Sequence, residues 1–159
     1  MTSPAAVRIG LISDTHGLLR PEALSFLAGC DHIVHGGDIG KPGILDELAQ
    51  IAPLTVVRGN NDREAWAAAI PVTATLHCAG VTLYAIHDLK ELDIDPRAAG
   101  VRVVVSGHSH KPACSERGGV LYVNPGSAGR RRFTLPVSCA ELLIEGDVVT
   151  PRIVTIVDD

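Results

Sequence analysis

Asp14, His16, Asp38, Asn60, His87, His108 and His110 have the types and spacing of ligands for divalent ions. Each follows the end of a short apolar run. Val7–Ser13 leads into Asp14-Thr15-His16, and His32–His35 into Gly36-Gly37-Asp38. Leu54–Val57 leads into Arg58-Gly59-Asn60-Asn61-Asp62, Val81–Ile86 into His87, and Val101–Ser106 into Gly107-His108-Ser109-His110. Residues i and i+2 leaving a strand point the same way, so Asp14 pairs with His16 and His108 with His110. The glycines before Asp38 admit close backbone approach, and Gly17 lets the chain turn away beneath a ligand. A carboxylate has two oxygens and can bridge two cations, as no imidazole can. Asn60 adds a neutral amide oxygen. Two Asp, four His and one Asn are enough for two ions.

Such a set works only if the apolar runs are neighbouring strands whose carboxyl ends meet on one edge. The pattern predicts strands at Val7–Ser13, His32–His35 and Leu54–Val57, with helices Pro21–Ala28 and Gly43–Ile51 between them. Pro21 suits a first helical turn and Gly29 a helix stop. A short helix is expected over Arg63–Ala69, ending before Pro71. Strands then follow at Val72–His77, Val81–His87, Val101–Ser106, Val120–Val123, Val137–Ile144 and Val148–Val157, the last two closing as a hairpin around Gly146-Asp147. Asp88–Gly100 reads as a loop with one helical turn. Strands alternating with helices first and hairpins later imply an α/β or α+β sandwich, a sheet pair covered by helices.

The 159 residues make one domain, 1–159, long enough for a substantial core. A net charge of −4 argues against broad electrostatic binding to nucleic acid or anionic membrane. Bound cations would reverse the sign locally and admit a phosphate. Cys30, Cys78, Cys114 and Cys139 are scattered, without a C-x-x-C pair, and read as small core residues in a reducing cytosol. No charged-then-apolar leader opens the chain and no apolar stretch approaches ~18 residues, so a cytoplasmic location is expected.

The ordered set Asp14-Thr15-His16, Gly37-Asp38, Gly59-Asn60-Asn61-Asp62, His87 and Gly107-His108-Ser109-His110 resembles the calcineurin-like metallophosphoesterases, in particular their small single-domain phosphodiesterase branch. Asn124-Pro125-Gly126-Ser127 resembles a downstream signature of that branch, so the likeness spans roughly Arg8 to Glu145. It implies a four-layer αββα sandwich of two mixed sheets flanked by helices. It also implies one metal held by Asp14, His16, Asp38 and His110, and a second held by Asn60, His87 and His108, with Asp38 bridging. The implied catalytic groups are Asp38, Asn60 and His108, around a metal-bridging hydroxide that attacks phosphorus in line. Manganese leads by the resemblance, while the mixed O and N donors also suit iron, zinc, nickel or cobalt.

Two positions depart from the family. Many members carry His after the motif Asn, where it helps protonate the leaving group; here Asn61 cannot titrate. Asp88 stands where Gly is usual, and would either orient His87 or crowd it. Asp62 is read as a cap for the turn after it, with a role behind the ligands as the alternative. Arg130-Arg131-Arg132 is read as a solvated basic loop, with a grip on a distal substrate phosphate as the alternative. His35 is expected to be packed and non-ligating, His32 and His77 have no assigned role, and Asn124 and Ser127 should shape the turn beside the site. The expected function is hydrolysis of a small phosphodiester or nucleotide-like substrate, with no stable nucleic-acid or membrane partner. Phosphomonoester or dinucleotide polyphosphate hydrolysis on the same centre, and a retromer-type protein scaffold, are the alternatives. Oligomeric state stays open, with a homodimer among the choices.

Overall fold

β-branched runs flanked by Gly, Asp and Asn form strands because their side chains pack on a pleated surface while the flanking residues accept tight turns. In the computed structural model, which describes residues 6–157, two five-stranded mixed sheets result. The first has the order β10 (Val148–Val157), β9 (Val137–Glu145), β1 (Val7–Ile12), β2 (His32–His35), β3 (Leu54–Val56). The second has the order β4 (Thr73–Cys78), β5 (Val81–Ile86), β6 (Val103–Val105), β8 (Val120–Asn124), β7 (Ala113–Arg117). β1, β2 and β3 are parallel, as are β5, β6 and β8. Their carboxyl ends therefore share one edge in each sheet.

Alternation decides what each face meets. Ile9 and Leu11 of β1 face the second sheet, in a core with Leu83, Val103, Val105, Val123 and Leu142. Ile12 faces the other way, into a cluster with Leu27, Ile33, Ile44 and Leu48 beneath α1 (Pro21–Leu27) and α2 (Pro42–Ile51). Gly10 shares that face, where a Cβ would meet Cys30 Sγ at 2.9 Å, so α1 packs directly onto backbone. The second sheet's outer face carries Tyr84, Ile86 and Val104, covered by Leu89, Leu92 and Ile94. The four-layer sandwich thus holds, with its fourth layer reduced to the 88–100 segment and a single 3-10 turn at Leu89–Glu91.

The predicted strands and both helices are present with ends shifted by a residue or two. The helix expected over Arg63–Ala69 is only a 3-10 turn, Ala65–Ala67. β7 was not anticipated. Cys30 and Cys139 are buried as expected, but Cys114 is exposed on β7 and Cys78 is half-buried. Among the described residues no helix is long and apolar enough to cross a membrane.

Candidate metal centre

Five loops deliver the predicted ligands to one place. Asp14 and His16 follow β1, Asp38 follows β2, and Asn60 follows β3, all from the first sheet. His87 follows β5, and His108 and His110 follow β6, all from the second. Asp14, His16 and His110 bring ligand atoms within 4.8 Å of one another, and so do Asp14, Asp38 and His87. The i, i+2 pairs do not leave as extended strand. Asp14, His16, Asp38, His108 and His110 all have positive φ, between 45° and 72°. That region costs a non-glycine residue roughly 1–2 kcal/mol, so the turns are held by tertiary contacts. Accordingly, His16→Gly should raise stability by up to about 1 kcal/mol in chelator, the relief of strain exceeding glycine's extra chain entropy. A lower urea midpoint for that variant would refute this.

Gly36 and Gly37 let the β2 loop lie against its neighbours. A Cβ on Gly37 would meet His87 Nδ1 at 2.7 Å and Gly59 N at 2.8 Å. Gly36 O accepts from His87 Nδ1 at 2.7 Å, which turns Nε2 toward the carboxylates. His87 Nε2 lies 3.3 Å from Asp38 Oδ2 and 4.0 Å from Asp14 Oδ1. Asp38 Oδ2 is also 3.6 Å from His16 Nε2. His110 Nε2 is 3.4 Å from Asp14 Oδ1 and 3.3 Å from His16 Nε2. At the mouth, His108 Nδ1 is 3.1 Å from Asn60 Oδ1. Two ligands bound at about 2.1 Å and near right angles to one ion stand roughly 3 Å apart. The observed spacings approach that value.

The polar bookkeeping points the same way. Asp14 Oδ1 and His87 Nε2 are buried without a hydrogen-bond partner, as is His110 Nδ1. Buried polar atoms are rarely left so. Asp14's other oxygen is fully engaged, accepting from Ser13 Oγ at 2.7 Å and His108 N at 3.1 Å. The open atom is therefore the one aimed at the three histidines. Carboxylate oxygens, imidazole nitrogens and an amide oxygen together suit a divalent first-row ion, so the residues fit the group.

Charge is tuned by the same contacts. Burial opposes ionisation of Asp38, but the His87 imidazole beside it, the Asn61 amide and the His16 charge outweigh it and hold it at about 2. Burial likewise opposes a charge on His87, yet Asp38, Asp14 and Gly36 O push it up to about 9. A divalent ion binding there must displace that proton. His35 is the contrast: burial takes it down to about 4. Its Nδ1 accepts from Gly37 N at 3.0 Å, so Nε2 carries the proton and donates to Thr15 Oγ1 at 3.1 Å. His35 is thus packed and neutral, a brace between the first two ligand loops.

Several supporting groups were not anticipated from sequence. Asn61 N and Nδ2 donate to the two oxygens of Asp38 at 2.9 and 3.1 Å. Asn61→Ala should therefore lower activity about 10–100-fold through Asp38, with the loss appearing in metal affinity; unchanged affinity and turnover would rule the clamp out. Asp62 does not cap the turn after it. Its carboxylate accepts from Ile39 N (2.9 Å) and Gly59 N (2.9 Å), clipping the Asp38 and Asn60 loops together. Asp88 does not orient His87 either: it caps the 3-10 turn through Lys90 N and faces His108 Nε2 at 3.8 Å. Asn124 behaves as expected, donating to Gly107 O and Ser109 Oγ, while Ser127 Oγ donates to Asp14 O. Arg130, Arg131 and Arg132 are exposed, and Arg132 is near enough to help hold the His110 pKa below the usual range, after burial and against Asp14. His32 and His77 pair with Thr55 and Thr82 on neighbouring strands, away from the site.

Comparison with known proteins agrees with this geometry. The profile of the calcineurin-like phosphoesterase superfamily domain matches residues 7–148. The probable metallophosphoesterase of Methanothermobacter thermautotrophicus is 33% identical over 158 residues, spanning 92% of this chain and 91% of that one. A structure described as a novel archaeal phosphodiesterase superposes with a TM-score of 0.77 at 22% identity, over 93% of this chain and 100% of that one. Vps29 from Entamoeba histolytica, solved with zinc, superposes with a TM-score of 0.72 at 22% identity, over 93% and 98% of the two chains. Carboxylates and histidines gathered at the shared edge of two sheets, on a fold matched end to end, place the chain in one family: it belongs to the calcineurin-like phosphoesterase superfamily.

Proposed function

We propose that the chain is a phosphodiesterase working with two divalent ions, manganese first among them. Asp14, His16, Asp38 and His110 would hold one ion, and Asn60, His87 and His108 the other, with Asp38 common to both. The observation that carries this reading is Asp38 Oδ2 lying between His16 Nε2 and His87 Nε2, at 3.6 and 3.3 Å. Asp14 Oδ1 is farther from both, at 3.8 and 4.0 Å, which favours Asp38 as the carboxylate common to two neighbouring ions.

Bound ions would polarise the phosphoryl oxygens and supply a nucleophile from water near neutral pH. The chain's own residues do the rest. Asp14 and Asp38 contribute −2 against +4 from two ions, leaving a local positive field for an anionic ester in an acidic protein. His108, 45% exposed by its side chain, stands at the mouth where the phosphate would enter. Asn61 is spent on Asp38 and has no proton to give a leaving group. Diesters with good leaving groups are thus the favoured substrates.

A panel of bis(4-nitrophenyl) phosphate, 4-nitrophenyl phosphate and dinucleoside polyphosphates, assayed under manganese, iron, zinc, nickel and cobalt, tests the proposal. The diester should be turned over at least about tenfold better than the monoester, one decade being 1.36 kcal/mol of barrier. Because both sheets donate ligands, a metal at a hundredfold over its Kd should stabilise by about 2.7 kcal/mol, or roughly 5–10 °C in Tm. Monoester preference would redirect the assignment to a phosphomonoesterase. No turnover and no thermal shift would favour a protein scaffold.

A further inference from the structure

A groove of about 570 Å³ opens beside the metal centre, along the outer face of the second sheet. Its position follows from strand register. Tyr122 stands opposite Ser115 and Asn124 opposite Ala113, so these residues share one face of the β7–β8 pair. The 88–100 segment packs on Tyr84, Ile86 and Val104 of the same face. It leaves β7 and the half-buried Tyr122 uncovered. One wall is Leu89 and Leu92, the floor is Tyr122, and Lys90, Lys111 and Arg117 add three cations against one carboxylate, Asp88. At its end the groove reaches His108 and Asn124, so it is continuous with the mouth of the metal centre.

Size, flatness and charge together identify an occupant. The volume falls in the roughly 300–1,000 Å³ range of small-molecule sites. The Arg117 guanidinium lies over the Tyr122 ring, 4.2 Å from its centroid, making a flat cationic platform. Ser106, Ser109 and Ser115 add hydroxyls among the lining residues, which suit the edge of a heterocycle and are wasted on an acyl chain. Resting on the phosphodiesterase reading, we propose that this groove holds one ester arm of the substrate and that the arm is a nucleotide. Its planar base would lie on the Tyr122–Arg117 pair, and its second phosphate would meet Lys90 and Lys111.

The test pairs a binding measurement with two esters. Calorimetric titration with adenosine 3′,5′-bisphosphate reads the groove directly. Lys111→Ala and Arg117→Ala should each raise its Kd about tenfold, with Tm unchanged because both residues are exposed. Tyr122→Phe should bind like the parent chain and Tyr122→Leu should not. With the 4-nitrophenyl ester of thymidine 5′-phosphate, Arg117→Ala and Tyr122→Leu should raise KM about tenfold. Methyl 4-nitrophenyl phosphate, too small to reach the groove, should keep its KM and kcat. If both esters are hydrolysed and neither Kd nor KM responds, the groove assignment fails while the phosphodiesterase reading stands. If neither ester is hydrolysed yet Kd responds to the variants, nucleotide binding stands and the hydrolytic reading fails. Tighter binding of a glycerophosphodiester than of the bisphosphate would overturn the choice of a nucleotide.

Discussion

Asp38→Asn should lower kcat/KM for a chromogenic phosphodiester about 10³-fold, equivalent to about 4 kcal/mol of transition-state stabilisation. The substitution keeps the shape and removes the charge. Asp38 stands nearer than Asp14 to both His16 and His87, at 3.6 and 3.3 Å against 3.8 and 4.0 Å, and His87 owes part of its raised pKa to it. An amide there offers one acceptor oxygen where two are used, and its nitrogen would face a donor, Asn61. The protein should still fold, since Asp38 sits at the sheet edge and outside the core clusters. Metal content by emission spectroscopy should fall together with turnover. Activity within tenfold of the parent chain would remove Asp38 from the centre of the site.

The second large effect concerns a residue with no side chain. Gly59→Ala should cost about 3 kcal/mol or more in stability, combining overpacking with displacement of a buried ion pair, and reduce turnover more than about 100-fold. A Cβ there would fall inside the contact distance of Asp38 N and Oδ1. Neither can move freely, because Asp38 Oδ1 is held by Asn61 and Gly59 N by Asp62. Two controls separate this clash from general glycine loss. Gly29, with φ +82° and open space around it, should cost only roughly 1–2 kcal/mol as alanine, from backbone strain. Gly43, in the first turn of α2 with nothing within 4 Å, should gain roughly 0.5–1 kcal/mol. Equal losses at all three positions, by urea denaturation, would show that Gly59 is not special.

The strands carrying ligands were legible because each is a β-branched run halted by Gly, Asp or His, and local chemistry sets both facts. β7 was not legible from its own residues, since Ala113–Arg117 are all exposed and show no apolar alternation. A signal did exist beside it: Gly118 and Gly119, both with positive φ, are a two-residue hairpin turn leading into a clear strand. The Arg63–Ala69 helix failed because Asp62, its expected cap, is turned backward onto Ile39 and Gly59. That the candidate ligands gather at one edge could be read from spacing, but the contacts that support them could not. Asn61 on Asp38, Ser13 on Asp14 and Gly36 O on His87 join loops far apart in sequence or depend on which way a turn faces. Asp88 shows the same limit: adjacency in sequence suggested His87, and the turn carried it to His108.

The left-handed backbone at His16, His108 and His110 has a consequence for lineages as well as for one molecule. At these positions the chain itself would do better with Gly or Asn. Only the need to bind holds His there. A descendant released from catalysis should therefore not scatter random residues over its old centre. It should drift toward glycine and asparagine at these three positions and grow more stable as it does, so decay of function would leave a directional trace.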